Sequence, residues 1–234
     1  MLAQQLYSLG VQGFLALIQD PNTCISYSQF GEDTLILEWL SSKDFKLSSK
    51  YYVDIGAYHP TRFSNTKLLN LLGWKGINVD PNPYTIELFN QQRPHDINLN
   101  IGIASSHRIA DLFCFQEGAI NTFDIENAKA LVNQGWKFTG KHEIELFSLN
   151  EILEKYLPQE IKNAGIGFLD IDCEGLDTEI ILNFDIEAYR PAIISIEAHG
   201  FDPLEPRSNK IVEFVTSFGY RIFAVVGATL LLSK

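Results

Sequence analysis

Acidic and imidazole side chains recur where short buried strands are predicted to end. Asp54, Asp80 and Asp172 each lie at the end of an apolar run, and Glu197 and His199 lie at the end of another. The carboxyl ends of parallel strands meet at one edge of a sheet, so we expect these groups around one ligand. Such groups can bind a polyhydroxyl ligand, act as a general base or hold a divalent metal.

Strand-like and helix-like segments alternate along the chain. The predicted strands are residues 51–55, 76–80, 96–103, 167–172 and 192–197, and the predicted helices are 64–72, 84–91, 148–156, 178–183 and 208–218. Two further strands, 220–226 and 229–232, are separated by Gly227 and Ala228, which predicts an antiparallel hairpin. The alternation predicts a Rossmann-like α/β fold with a mainly parallel sheet covered on both faces.

Two regions depart from this alternation. Residues 1–48 are interpreted as an N-terminal helical extension before a domain spanning 49–234. The first twenty residues have apolar positions at helical spacing, which favours a helix packed on the core, with a membrane surface or a partner protein as alternatives. Residues 111–147 are more polar and predict an irregular insert or acceptor lid, with a helix over 125–134.

Composition narrows the classes of partner and the cellular compartment. The 234 residues carry a formal net charge of −11, which disfavours a nucleic-acid partner. The three cysteines form no CxxC pair, which argues against a disulfide framework or a thiolate zinc site and favours the cytoplasm. The N-terminal segment is too short and polar for a transmembrane segment. The sequence leaves a homo-oligomer open.

The loop after the first strand favours a nucleoside ligand without a pyrophosphate. Its sequence, VDIGAYHP, contains Gly56 but no GxGxxG pattern, and a pyrophosphate needs several close backbone approaches. This disfavours a nicotinamide oxidoreductase. Asp80, at the end of the second strand, is placed to accept hydrogen bonds from a ribose diol. The alternative is that Asp54 and Asp80 are strand-end caps or turn residues.

Several segments in order resemble the FkbM-type methyltransferases. They are SQFGED at 28–33, VDIGAYHP at 53–60, SNT at 64–66, GWKGINVDPNP at 73–83 and FLDIDCEG at 168–175. The resemblance implies a class I methyltransferase fold with a seven-stranded sheet and a C-terminal antiparallel hairpin. It also implies S-adenosylmethionine as the cofactor and an oxygen atom as the usual acceptor.

The resemblance further implies a set of cofactor-binding residues. Asp54 and Gly56 would lie beside the methionine part and Asp80 beside the ribose, where many such families have the longer glutamate. Residues 100–103, including Asn100 and Gly102, would flank the adenine. Two more candidates complete the set: Asn82, which follows the second strand, and Asn65, which would contact the cofactor carboxylate or cap the first helix.

Methyl transfer to a hydroxyl needs alignment and a base, a divalent metal, or both. Asp172 and Glu174 are the first candidates for the base, and His199 in an acidic pocket is an alternative. His59 adjoins the predicted methyl position, although a histidine in such a turn is commonly structural. Asp172, Glu197 and His199 would form a tentative Mg²⁺ or Mn²⁺ site.

The functional prediction is an S-adenosylmethionine-dependent O-methyltransferase. Its acceptor would be a hydroxyl of a saccharide, a glycoconjugate or another small-molecule natural product. One alternative is an N-methyltransferase on a small molecule, which would not need the acidic cluster. The other is a non-catalytic nucleoside-binding module that keeps the pocket without turnover.

Overall fold

The computed structural model describes residues 19–20, 23–42, 45–173 and 175–234. The strands are β1 Tyr51–Ile55, β2 Lys75–Val79, β3 Ile97–Leu99, β4 Gly102–Ala104, β5 Arg108–Phe115, β6 Phe138–Ser148, β7 Phe168–Ile171, β8 Ile193–Glu197, β9 Arg221–Val226 and β10 Thr229–Ser233. Seven of them form the main sheet in the order β3-β2-β1-β7-β8-β10-β9, and β4, β6 and β5 form a second sheet.

The described helices are α1 Glu32–Leu40, α2 Lys67–Leu71, α3 Pro83–Gln92, α4 Ile125–Asn133, α5 Leu149–Tyr156, α6 Gln159–Ala164, α7 Asp177–Leu182, α8 Ile186–Tyr189 and α9 Lys210–Ser217. Local side chains set several of their starts. Asn82 accepts a hydrogen bond from the Tyr84 amide at the start of α3. Ser148 forms a capping box with Glu151 at the start of α5.

The main sheet has the predicted mixed topology. Strands β3, β2, β1, β7 and β8 pair in parallel, whereas β10 pairs antiparallel with both β8 and β9. The predicted terminal hairpin is confirmed. The strand order changes direction between β1 and β7. Successive strands run outward from β1 to β3 on one side of this point and from β7 to β8 on the other. The carboxyl ends of β1 and β7 are therefore where an open α/β sheet binds its ligand.

Both faces of the sheet are buried, which explains the near-continuous apolar runs. Val53, Leu169 and Ile194 belong to the core on one face, and Tyr52 and Phe168 to the core on the other. Helix α1 packs on this second face. Its Ile36 is fully buried there, and Trp39 stacks on Phe223 with 4.3 Å between ring centroids.

Three details of the predicted fold are wrong. The predicted strand 96–103 is divided, because β3 pairs with β2 whereas β4 pairs with β6 in the second sheet. The insert is not irregular, because β5 and β6 pair antiparallel along nearly their whole length. Its predicted helix is confirmed as α4. The first predicted helix begins at Lys67 rather than at residue 64.

Some predictions fall on residues outside the described part. The proposed N-terminal amphipathic helix lies mainly in residues 1–18, and the candidate base Glu174 is also outside. The division of the chain into 1–48 and 49–234 stays a prediction. Along the part of the chain that the structure describes, no helix combines the length and apolarity needed to cross a bilayer.

Candidate active site

An inner groove lies at the carboxyl ends of β1 and β2. We define it by Gly56, Asp80, Gly102 and Asp172 together with an apolar wall. The wall consists of Ile101, Ile103, Leu112 and Phe123. The groove thus combines apolar side chains that could face a planar base with a carboxyl group that could face a sugar.

Gly56 shapes the floor of the inner groove. Its φ of 81° lies in the left-handed region, and an added Cβ would sit 1.8 Å from the backbone oxygen of Asp172. A side chain at this position would therefore separate the ends of β1 and β7. An added Cβ on Gly102 would meet the end of the Leu146 side chain at 2.1 Å, so a side chain there would require that leucine to move.

Asp80 is buried, and its carboxylate accepts hydrogen bonds from two backbone amides. One carboxylate oxygen accepts a hydrogen bond from the Tyr58 amide at 2.9 Å, and the other accepts from the Asn82 amide at 2.8 Å. Burial raises the pKa of Asp80 to about 7, and the two backbone hydrogen bonds oppose that rise. Each oxygen keeps a further lone pair, so the group can still accept hydrogen bonds from a ligand.

An acidic cleft of about 270 Å³ adjoins the inner groove. We define it by five carboxyl residues, by His199 and by the exposed rings of Phe30 and Phe63 at its rim. The carboxyl residues are Glu32, Asp54, Asp170, Asp172 and Glu197. Gly56 and Asp172 line both the cleft and the inner groove, so the two spaces meet at the loop after β1.

Asp54 and Asp170 form a buried pair on neighbouring strands. They are Cα partners in the β1–β7 register, and their exposed fractions are 3% and 4%. Burial raises the pKa of each, and the nearby Asp54 raises that of Asp170 further. Asn65, predicted to cap a helix or contact the cofactor, donates instead to both Asp170 oxygens at 3.0 and 3.2 Å.

Glu197 and His199 face each other at the end of β8. His199 Nε2 lies 2.9 Å from Glu197 Oε2, with side-chain exposures of 67% and 18%. Burial raises the pKa of Glu197, and the proximity of His199 opposes that effect. An exposed imidazole beside a largely buried carboxylate is an arrangement suited to accepting a proton.

The tentative metal site is not supported. Within residues 19–20, 23–42, 45–173 and 175–234, no group of three His, Cys, Asp or Glu side chains is arranged to hold a metal ion. Asp172, Glu197 and His199 line the same cleft, but the Glu197 carboxylate is directed to His199. Glu197 and His199 therefore lie against each other rather than forming a set of metal ligands with Asp172.

Three other candidates line a separate outer cavity of about 620 Å³ between α3 and the second sheet: His59, Asn82 and Asn100. His59 Nδ1 accepts from the Thr61 and Arg62 amides, both at 3.0 Å, so this nitrogen organises the loop. Burial lowers the pKa of His59. Asn100 donates to the Asp80 carbonyl at 3.1 Å. The structure therefore does not bring His59 into the cleft that holds Asp172 and His199.

A strap, residues 117–121, crosses the meeting point of these spaces. Arg62 makes two hydrogen bonds to Glu117 on the strap, and the Tyr58 hydroxyl donates to the same carboxylate at 2.7 Å. Ala119 lines both the inner groove and the acidic cleft. Sequence reasoning missed this contact, because the two segments are far apart in the chain and no motif marks the strap.

Taken together, the strand order and the groove beside Gly56 define a Rossmann-like, class I methyltransferase fold. Residues 54–222 match the family model described as the methyltransferase FkbM domain. Since this match covers more than half of the chain, the protein belongs to the FkbM methyltransferase family. The resemblance and the fold class predicted from the sequence are confirmed. No curated protein matches the sequence.

A solved structure supports the fold. The crystal structure of methyltransferase FkbM from Methylobacillus flagellatus KT is similar with a TM-score of 0.50 and 13% sequence identity. The alignment covers 89% of this chain and 48% of that chain, so this chain spans about half the length of that protein. At this identity, the likeness supports the arrangement of helices and strands and leaves the substrate to be argued from the site.

Proposed function

We propose that this chain is an S-adenosylmethionine-dependent methyltransferase that methylates a hydroxyl oxygen of a saccharide, a glycoconjugate or a natural product. One observation carries the proposal. The inner groove, with its apolar wall and Asp80, opens at Gly56 into an acidic cleft that holds the Glu197–His199 pair. A nucleoside site thus adjoins a proton acceptor.

The residues of the inner groove fit the proposed cofactor. Ile101, Ile103 and Leu112 offer apolar surface for an adenine, and Asp80 keeps lone pairs for a ribose diol. The close approach of Gly56 to Asp172 leaves the floor free of side chains where a sulfur would pass. Asp54, at the floor of the acidic cleft, is a carboxyl partner for the ammonium of the amino-acid part.

S-adenosylmethionine, when bound, supplies a methyl group on a positively charged sulfur. His199 would accept the proton that the acceptor hydroxyl loses as its oxygen takes the methyl carbon and the carbon–sulfur bond breaks, which leaves S-adenosylhomocysteine. Glu197 orients the imidazole and stabilises its protonated form. Asp172, exposed in the same cleft, accepts a hydrogen bond from the acceptor and aligns it. A neutral alcohol needs such a base, whereas an unprotonated amine does not, so the pair favours oxygen as the acceptor atom.

The test is methyl transfer from S-adenosylmethionine labelled in the methyl group. The acceptors are neutral mono- and oligosaccharides, with amine analogues of the same sugars as the comparison. We expect label in a methyl ether, located by mass spectrometry, and its loss in His199→Gln. Labelling confined to the amines would contradict the oxygen assignment. Failure of the wild-type chain to bind S-adenosylmethionine would contradict the cofactor assignment.

A further inference from the structure

A buried arginine is linked to the acidic cleft by hydrogen bonds. Arg93 follows α3 and is 2% exposed. Its Nη2 donates to the Pro60 carbonyl at 2.6 Å and to Ser64 Oγ at 2.9 Å, and its Nη1 donates to Thr66 Oγ1 at 2.8 Å. The guanidinium thereby joins the end of α3 to the loop after β1. Burying a charged group costs free energy, so the buried position of the Arg93 guanidinium needs an explanation.

Thr66 connects this arginine to the cleft. Its hydroxyl accepts from Arg93 and donates to Asp54 Oδ2 at 2.5 Å, and Thr66 itself is fully buried. The single hydroxyl proton is committed to the carboxylate, so the chain of hydrogen bonds runs from Arg93 to Asp54. Thr66 precedes α2 but makes no side-chain capping bond to it, so helix capping does not account for the hydroxyl.

Of the two buried carboxyl groups, Asp54 is the one that receives the hydrogen bond from Thr66. Burial and the nearby charge of Asp96 favour its neutral form. The hydrogen bond from Thr66 and the charge of Arg93 both lower the pKa of Asp54 and oppose that effect. The side chains that lower the pKa of Asp170 by hydrogen bonding are those of Ser195 and Asn65, which are both neutral. The two carboxyl groups, although adjacent, therefore have different environments.

We propose that Arg93 and Thr66 are positioning residues that hold the Asp54 carboxyl group directed into the acidic cleft, where it binds the ammonium group of the cofactor's amino-acid part. The inference rests on the proposed function, because it takes the occupant of the cleft to be a sulfonium amino acid. Arg93 supplies the compensating charge, and Thr66 sets the direction of the carboxylate.

Two ligands separate a positioning role from a general structural one. S-adenosylhomocysteine carries the amino-acid part, whereas 5′-methylthioadenosine has the same nucleoside and sulfur without it. We expect Thr66→Val to weaken S-adenosylhomocysteine by about tenfold, the order of one charge-assisted hydrogen bond, and to leave 5′-methylthioadenosine unchanged. Thr66→Ser retains the hydroxyl and should restore wild-type affinity for both ligands. Titration calorimetry measures each dissociation constant, and thermal unfolding checks each fold.

Asp54→Asn provides a second variant in case Thr66→Val does not fold. It should show the same selective loss, and adding Thr66→Val to it should cause little further loss, because the two residues act in one chain. Equal weakening of both ligands, or wild-type affinity in Asp54→Asn, would overturn the inference. Wild-type protein that binds neither ligand would instead overturn the proposed cofactor site, so the two failures are distinguishable.

Discussion

Gly56 lies so close to Asp172 that a Cβ on the glycine would sit 1.8 Å from the aspartate's backbone oxygen. The two residues end adjacent parallel strands, and the Asp172 amide donates to the Ile55 carbonyl at 2.9 Å. This contact joins the inner groove to the acidic cleft. Because Gly56 has no side chain, the loop after β1 can lie this close to the end of β7, and this contact sets the spacing between the inner groove and the acidic cleft.

Gly56→Ala should abolish binding of S-adenosylhomocysteine and lower the melting temperature. Gly73→Ala is the matched control, because Gly73 has nearly the same φ, 82°, with no atom within 4 Å of an added Cβ. In the control, the alanine adds only the strain of a left-handed backbone, which costs about 1 kcal/mol of folding free energy. This cost should lower the melting temperature by roughly 2–4 °C. Calorimetric titration and thermal unfolding measure both effects. Tight binding by Gly56→Ala would show that the two strand ends can separate without loss of the site.

Asp80 should make nucleoside binding depend on pH. Burial raises its pKa to about 7, so the carboxylate predominates above that value and the neutral acid below it. A carboxylate accepts hydrogen bonds from a diol better than a neutral acid. The affinity for 5′-methylthioadenosine should therefore fall as the pH falls through about 7. Because this ligand lacks an amino-acid part, it has no ammonium group to contact Asp54.

The matched variant for this prediction is Asp80→Asn, which keeps an oxygen for the backbone amides but cannot ionise. Its affinity for 5′-methylthioadenosine should be lower than that of the wild type at pH 8 and nearly constant from pH 5 to pH 8. An equally steep pH dependence in this variant would assign the titration to another group.

His199→Gln should reduce methyl transfer by about 10²- to 10⁴-fold, the usual contribution of a general base, with unchanged affinity for S-adenosylhomocysteine. Glu197→Gln should cause a smaller loss, because it removes only the group that orients the imidazole. His107→Gln is the control: His107 pairs with Glu145 at 2.8 Å on the second sheet and should have no effect. Activity retained in His199→Gln but lost in Asp172→Asn would assign the base to Asp172.

The second sheet is attached to the main domain through Arg108 and Glu179. These side chains make two hydrogen bonds, the shorter at 2.6 Å, and the contact lowers the pKa of Glu179 to about 2. A lowered carboxyl pKa stabilises the fold above the group's ordinary value of 4.5 and loses that effect as the pH falls toward 2. Both side chains are about one-third exposed, so we expect about 1 kcal/mol.

Arg108→Met should therefore lower the melting temperature by roughly 2–4 °C at pH 7, with a difference that shrinks as the pH approaches 3. Lys129→Met removes the exposed Lys129–Glu126 pair and should leave the melting temperature unchanged. Thermal unfolding across this pH range measures both variants. A constant difference at every pH would mean that Arg108 stabilises by packing rather than by its charge.

Local patterns in the sequence were enough to predict the main sheet. Runs such as residues 51–55 and 192–197 are apolar because both faces are buried, and the spacing around Gly227 fits a tight hairpin. The helix predicted over 148–156 begins where expected, because Ser148 forms a capping box at its start. These features depend on neighbours in the chain, so the sequence shows them directly.

Features formed between distant segments were not predicted. The register of β5 on β6 joins residues up to about forty positions apart, and their mixed exposure hides the alternation of the strands. No local pattern marks Arg93 in the sequence, yet its partners Thr66 and Pro60 lie around its buried guanidinium. Asp170 lies within the recognised segment FLDIDCEG, and its position inside a buried strand was the signal that could have identified it.

The most direct test of the central claim is calorimetric titration of the purified chain with S-adenosylhomocysteine, with Asp80→Ala as the comparison. The account predicts a dissociation constant in roughly the micromolar range, about −8 kcal/mol, for the wild type and at least about tenfold weaker binding for the variant. Absence of binding by a folded wild-type chain, or equal affinity in Asp80→Ala, would contradict the assignment of the inner groove to this cofactor.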